Sequence, residues 1–323
     1  MRALQIQRHG GPEVMELADL PIRDPGAGEI RIRHHAIGVN FIDTYQRSGL
    51  YKQPLPFVPG SEGAGVVEAV GERTSFAVGD RVAYAANTPG SYAETRTLVA
   101  AQVVKLPDSI AFPTAAAMML KGLTVQYLLR RTSPQGGLHA GDFIVWHAAA
   151  GGVGTIACQW AKALGLRVIG TAGGPEKCAL AARWGAEFTI DYRHDDVVAR
   201  VKEITGGHGV KIVYDSVGKD TFDRSLDCLA PFGLLVSFGN ASGPPAPLDI
   251  LTLSRKGSLY VTRPTLGTHS KDHLAEMAAD LFEVVTSGKV TIDVHQTYAL
   301  DDAAQAHRDL EARKTTGASV LLV

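Results

Sequence analysis

Hydrophobic positions change their period twice along this chain. Up to about residue 110 they alternate with polar ones over short runs: EIRIRH at 29–34, and parts of GAGVVEAVG at 63–71 and DRVAYA at 80–85. The turn sequences HGG, DPGAG and FAVGD separate these runs. Such alternation between Gly- and Pro-rich turns predicts the short strands of a compact β domain. After Pro113 the alternation stops, and TAAAMMLKGLTVQYLLRR at 114–131 reads as one or two helices. From 142 to 263 six apolar runs alternate with helical patterns: DFIVWHA, LRVIGTA, EFTID, VKIVYDSV, LLVSFG and SLYVTR. Strands apolar on both faces belong in a parallel sheet covered by helices on each side, so the fold class is α/β.

The helix after the first of these strands carries Val153, Ile156, Ala157, Trp160, Ala161 and Leu164 on a single stripe, and Gly165 ends it. Further on, the pattern predicts helices near 271–287 and 301–313 and a last strand, SVLLV. That strand is too apolar to be solvated, so we expect it to return to the first domain. The predicted division is therefore a discontinuous β-rich domain, 1–123 and 267–323, and a nucleotide domain, 124–266.

HAAAGGVG at 147–154 joins the first parallel strand to its helix. Ala149, Gly151 and Gly154 stand where G-x-G-x-x-G has its glycines, with Gly152 and Val153 between the last two. The chemistry needs a tight turn, close backbone approach to a pyrophosphate, and free N–H groups at a helix N-terminus. An NAD site would add an acid at the end of the second strand for the ribose hydroxyls. Here that place reads Thr171, Ala172, Gly173, Gly174, with Lys177 following and Tyr192 after the third strand. Small residues edged by a lysine and a tyrosine suit the 2′-phosphate of NADPH, which a carboxylate would repel. Glu176 falls in a first helical turn, where the helix dipole stabilises it.

Composition narrows the class. The chain has 323 residues, 45% hydrophobic and 20% charged, with a net charge of -1. That is the balance of a globular enzyme of two domains. The absence of a basic stripe counts against nucleic acid, and no apolar run is long enough to span a membrane. The start, MRALQIQRHGG, lacks the apolar stretch of a signal peptide, and three cysteines make no disulfide framework. A cytoplasmic location is the expectation.

HAAAGGVG, AIGVNFIDTYQRSGLY (36–51), LKGLTVQYLL (120–129), IVYDSVG (212–218) and VSFGNASG (236–243) together resemble the zinc-free, zeta-crystallin-like quinone oxidoreductases of the medium-chain dehydrogenase/reductase superfamily. The resemblance runs the length of the chain. It implies a GroES-like catalytic domain, a Rossmann domain of six strands in the order 3-2-1-4-5-6, and NADPH-dependent quinone reduction. Zinc enzymes of the superfamily place catalytic Cys and His where this chain has Asn40 and Ser61, and residues 85–110 hold no structural-zinc cysteines. We therefore expect no metal site, with Asp43 and Glu62 as polar scaffold.

The resemblance also places Asn40, Tyr45, Tyr51 and Thr124 near the nicotinamide and Arg313 near the 2′-phosphate. Thr124 is read as opening the linker helix. Ser216, Phe238, Gly239 and Asn240 follow the fourth and fifth strands, at the carboxyl ends where open α/β sheets bind ligands. The leading expectation is quinone reduction between the two domains. The alternative is a zinc-free enone or enal reductase, and a third reading is a non-catalytic crystallin or RNA-binding role. SLYVTR at 258–263 forms the sheet edge, which a homodimer would cover.

Overall fold

The computed structural model describes residues 1–133 and 136–323. It begins with β1 (Arg2–Ile6), β2 (Met15–Asp19), β3 (Glu29–Val39), α1 (Phe41–Ser48), β4 (Glu62–Val70), β5 (Arg81–Ala85), β6 (Thr95–Val99), β7 (Val103–Lys105) and the long helix α2 (Phe112–Arg130). Next come β8 (Phe143–Trp146), α3 (Gly152–Ala163), β9 (Arg167–Ala172), α4 (Pro175–Arg183), β10 (Phe188–Asp191), α5 (Val197–Ile204) and β11 (Val210–Asp215). They are followed by α6 (Phe222–Asp227), β12 (Leu229–Ser237), α7 (Leu251–Arg255) and β13 (Tyr260–Thr262). The chain finishes with α8 (Leu266–Ser270), α9 (Leu274–Thr286), β14 (Val294–Ala299), α10 (Ala303–Glu311) and β15 (Ala318–Leu322).

These elements form two compact units. One comprises Met1–Leu123, Ser270–Thr286 and Ile292–Val323; the other comprises Thr124–His269 and Ser287–Thr291. The first is GroES-like. Its main sheet has the order β14-β15-β3-β4-β5-β7, with β6 also on β3. The C-terminal strand returns to this unit as its apolar sequence requires: Ser319 to Leu322 pair antiparallel with Val39 to Ala36, and Val320 and Leu321 are fully buried. Beside it, β14 was not anticipated. Its sequence VHQTYA holds three polar residues, and its side chains alternate between half-buried and exposed. The core of this unit is built from Ile30, Ile32, Val67, Val82 and Tyr84 on one side, and Ile6, Ile37, Tyr92 and Leu321 on the other.

The second unit is a doubly wound parallel sheet, order β10-β9-β8-β11-β12-β13. Counted in chain order this is 3-2-1-4-5-6. The first strand, β8, lies between β9 and β11, so the order reverses there and the carboxyl ends of β8 and β11 flank the switch point. Val145, Ile169, Ile190, Val213 and Leu235 fill the core. The stripe on α3 is buried at Ile156, Ala157, Trp160 and Ala161, and Gly165, with φ 76°, takes the left-handed turn that ends the helix. One expectation fails here. Because α2 runs unbroken from Phe112 to Arg130, Thr124 lies inside the helix and neither opens nor caps it.

Candidate active site

In the Rossmann unit the glycine turn is the best-defined feature. Gly151 is the N-cap of α3, with Gly152, Val153 and Gly154 in the first turn. A Cβ on Gly154 would sit 2.4 Å from the Ala148 carbonyl and 2.6 Å from that of Ala149, so this position requires glycine. Ala148 adopts φ 53°, and the Ala149 N–H donates to the Thr171 carbonyl, tying the turn to β9. Beneath it lies a buried network that the sequence reading missed. His147 Nδ1 is 2.8 Å from Thr171 Oγ1 and Nε2 is 3.0 Å from Ser225 Oγ, which donates to Asp215 Oδ2. Burial lowers the His147 pKa, so the imidazole is held neutral and anchors the turn.

At the end of β9 the chain makes a cradle. A Cβ on Gly173 would meet Tyr192 Oη at 2.6 Å and Arg193 Nε at 3.2 Å. The nearby acid, Asp191, is already engaged: its Oδ1 accepts from the backbone N–H groups of Gly174 and Arg193. Those bonds, the Gly174 one first, lower its pKa. Lys177 lies in the first turn of α4, four residues after Gly173. Gly173 and Tyr192 are thus brought together, and Arg193, which the sequence reading passed over, joins them; Lys177 is their neighbour along the chain. A backbone open at Gly173, two polar tips and no carboxylate offered to a ribose fit an anionic nucleotide.

Ser216, Phe238, Gly239 and Asn240 also come together, past the ends of β11 and β12. A Cβ on Gly239 would lie 2.4 Å from the Ser216 carbonyl, and the Phe238 ring packs 5.8 Å from that of Trp146. Thr124 is buried and hydrogen-bonds the Tyr127 phenol, whose ring stacks on His269 at 4.6 Å. Arg313 belongs to the GroES-like unit, in a left-handed turn with φ 57° after α10.

In the GroES-like unit the residues after β3 form a second cluster. Tyr45 and Tyr51 pack edge to face with centroids 5.3 Å apart, and Phe41 lies 6.1 Å from Tyr45. Asn40 is buried; its Nδ2 donates to Glu62 Oε2 at 2.8 Å. Glu62 also accepts from the Leu120 backbone N–H at 2.7 Å and from Lys121 Nζ at 3.2 Å. Gly38 makes room for it: a Cβ there would lie 2.0 Å from Glu62 Oε2 and 2.3 Å from the Ala116 carbonyl. Neither the pairing of Glu62 with Lys121 nor the need for Gly38 shows in the local sequence, because the partners lie on different elements.

The network continues through Asp43. Its Oδ2 accepts from the Asn40 backbone N–H at 2.9 Å and from Tyr92 Oη at 3.2 Å. Tyr92 Oη is also 2.9 Å from His307 Nε2, while Arg47 donates to His307 Nδ1. Arg47 can only donate, so Nδ1 accepts, Nε2 carries the proton in the neutral ring, and Tyr92 passes its own hydrogen to Asp43. Burial raises the Asp43 pKa to about 7, and burial with the Arg47 charge lowers that of His307 to about 3.

A divalent cation does not fit here. Glu62 is already used by three donors, one of them a cationic ammonium, and Asn40 turns its NH₂ toward the same carboxylate. Among the described residues no three His, Cys, Asp or Glu side chains group as a metal site.

The sequence has clear relatives. Residues 26–108 match the family described as alcohol dehydrogenase GroES-like domain, and residues 152–283 match that described as zinc-binding dehydrogenase. A quinone oxidoreductase of Pseudomonas aeruginosa is 56% identical, the match covering 99% of both chains. The chain belongs to the zinc-free quinone oxidoreductases of the medium-chain dehydrogenase/reductase superfamily. The crystal structure of Escherichia coli quinone oxidoreductase complexed with NADPH superposes with a TM-score of 0.97 at 47% identity, covering all of both chains. A 2-haloacrylate reductase of a Burkholderia species is 41% identical over 99% of this chain and 98% of its own. Membership in a superfamily whose nucleotide-domain model is described as zinc-binding therefore coexists here with a donor set that rejects zinc.

Proposed function

We propose that this chain reduces quinones with NADPH and without a metal. The observation that carries the reading is the Gly173 cradle, edged by Tyr192 and Arg193 with Lys177 four residues on, in a chain 47% identical to a quinone oxidoreductase solved with NADPH. When bound, NADPH supplies a hydride from its nicotinamide. The backbone of Gly151, Gly152, Val153 and Gly154, packed against Ala149, holds the pyrophosphate at the N-terminus of α3. Gly173, Lys177 and Tyr192 receive the 2′-phosphate. Ser216, Phe238, Gly239, Asn240 and Thr124 shape the nicotinamide end. Asn40 offers the amide hydrogen not taken by Glu62, and the Tyr45–Tyr51 pair presents edges and faces to a flat ring. A quinone needs little polarisation, because its reduction gains aromaticity.

Stopped-flow oxidation of NADPH and NADH with a set of quinones and an α,β-unsaturated ketone tests this. Faster turnover with quinones and NADPH is expected; equal rates with both cofactors would overturn the cofactor assignment. The 41% identity to a 2-haloacrylate reductase favours alkene reduction as the second reading, and the ketone arm measures it.

The same reading includes a homodimer. Strand β13 ends its sheet, Tyr260 on it is 46% exposed, and Phe232 on the neighbouring strand and Ile250 and Leu251 ahead of β13 are exposed as well. Edge-to-edge pairing would cover the open N–H and C=O groups. Sedimentation at micromolar concentration should find twice the chain mass. Free Cys158, Cys178 and Cys228 support a reducing, cytoplasmic setting.

A further inference from the structure

Lys121 is a buried lysine whose hydrogen-bonding capacity is mostly unused. Its side chain is 6% exposed, on a helix that passes the Glu62 carboxylate. An ammonium has three N–H donors. One is placed, on Glu62 Oε2 at 3.2 Å; no other acceptor among the described residues takes the remaining two. Glu62 Oε2 also accepts from Asn40 Nδ2, so the ammonium and the amide converge on one oxygen. Next along the chain, Ser61 Oγ is buried and has no hydrogen-bond partner among the described residues. A buried ammonium with spare donors is a costly arrangement for the fold alone, and it is the arrangement an oxygen anion would complete.

We propose that Lys121 is a catalytic residue, its ammonium donating to the quinone oxygen that turns negative during reduction. This rests on the quinone-reductase reading. The quinone gains two electrons and one proton as a hydride from the reduced cofactor. The charge left on its oxygen is met by Lys121, and the second proton comes from water, so that the lysine keeps its own. Glu62 fixes the ammonium in place, and its charge partly balances it. A fixed cation thereby does what a Lewis-acid metal would do at a carbonyl, in a cluster whose donors reject a metal.

The test uses Lys121→Met and the charge-balanced pair Glu62→Gln with Lys121→Met, alongside wild type. Each is checked for cooperative unfolding and for NADPH binding by fluorescence. 4-Nitrophenol, whose anion is yellow, serves as the oxygen-anion probe in the presence of NADP⁺. An ammonium within hydrogen-bonding distance should lower the probe's titration midpoint on wild type by about 1–3 pH units relative to free probe. Both variants should abolish that shift and lose about 10²–10³-fold in kcat for quinones. The other titratable groups of the cluster, Glu62 and Asp43, are common to wild type and Lys121→Met, so the comparison isolates Lys121.

The proposal is overturned if folded variants keep the probe shift or reduce quinones within about threefold of wild type. It is also overturned if both variants fail to fold, because Lys121 would then serve the fold. A wild type that shifts the probe but does not reduce quinones would sink the activity and keep the anion site.

Discussion

The two clusters are made of opposite materials. In the Rossmann unit the site we propose for the nucleotide is backbone: Gly151 to Gly154 at a helix N-terminus, and Gly173 where a side chain would collide with Tyr192. Tyr192 and Arg193 at its edge are exposed, Lys177 nearby in sequence is half-buried, and none is part of a buried network. In the GroES-like unit Asn40, Asp43, Glu62, Tyr92, Lys121 and His307 are all buried. They are joined across sequence separations from 3 to 215 residues. Removing one of these strands its partner in a low-dielectric interior. Mutations in the first cluster should change affinity and spare the fold, while those in the second that strand a buried charge, such as loss of Glu62, should also cost stability.

The largest effect is expected at Glu62. Glu62→Ala leaves the Lys121 ammonium buried and uncompensated, and breaking a buried pair from one side costs about 3–5 kcal/mol. Lys177→Ala, at a half-buried position outside the buried network, should move stability far less, by about 0.5 kcal/mol. Denaturant midpoints of the two variants measure this. Equal losses would erase the distinction between the clusters.

Acid should act on buried groups of both units. Burial holds His34 at about 4 and His307 at about 3, both below the ordinary 6.5. Their stabilisation is complete above 6.5 and is lost as the pH falls through these values. Asp43, raised to about 7 from 3.8, acts in the opposite sense, stabilising at low pH and less as the pH rises. Between about 4 and 6.5 the unfolded chain binds two protons on these histidines and the folded chain one on Asp43, and buried His147 adds to the loss in the same sense. Stability should therefore fall by at least about 1.4 kcal/mol per pH unit on acidification in this window. His307→Gln should flatten that slope; chemical denaturation at pH 4.5, 5.5 and 6.5 would show it, and an unchanged slope would remove His307 from the account.

What the sequence made legible follows the same division. Six apolar runs predicted the six parallel strands, and HAAAGGVG predicted the turn, because a period and a glycine spacing are local properties. Thr124 was misread because MMLKGLTVQYLL carries no cap or break to reveal that the helix begins at Phe112. Strand β14 was missed because VHQTYA is half polar and belongs to the sheet only through its pairing with β15. Lys121 stood within a motif that was quoted for its family likeness, but its partner Glu62 lies 59 residues away. A lysine with a distant partner looks like any helical lysine until the fold closes. Arg193 was hidden differently: its guanidinium stands at the cradle only once the chain turns at Gly173 and Gly174, whose Cβ positions it approaches.

The exposed cluster should answer in affinity. A charge-assisted hydrogen bond to phosphate contributes about 1.5–3 kcal/mol, so Lys177→Ala should weaken NADPH roughly 10–100-fold and leave NADH nearly unchanged. Gly173→Ala sharpens the point. The new methyl would lie 2.6 Å from Tyr192 Oη, the end of a flexible side chain that can swing away. The fold should therefore survive while NADPH binding drops by about tenfold, the equivalent of one hydrogen bond of about 1.4 kcal/mol. Fluorescence titration with both cofactors reads each variant, and equal losses for NADPH and NADH would refute the phosphate assignment.

The smallest effect is expected at Tyr45, and it decides between chemistries. Tyr45 is half-buried and packed edge-on against Tyr51, so Tyr45→Phe keeps the ring contact and removes only the hydroxyl. If the negative quinone oxygen is met by the Lys121 ammonium and the Asn40 amide, no strong general acid is needed there. The loss in kcat should then be about tenfold or less, well short of the 10²–10⁴-fold that an essential acid contributes. Lys121→Met, in contrast, should be severe under the same assay. Reversal of that order, with NADPH binding intact in Tyr45→Phe, would make Tyr45 the proton donor. It would also favour the alkene reductase, because an enolate formed by hydride addition to a carbon–carbon double bond must be protonated, whereas a hydroquinone anion is already stabilised by its ring.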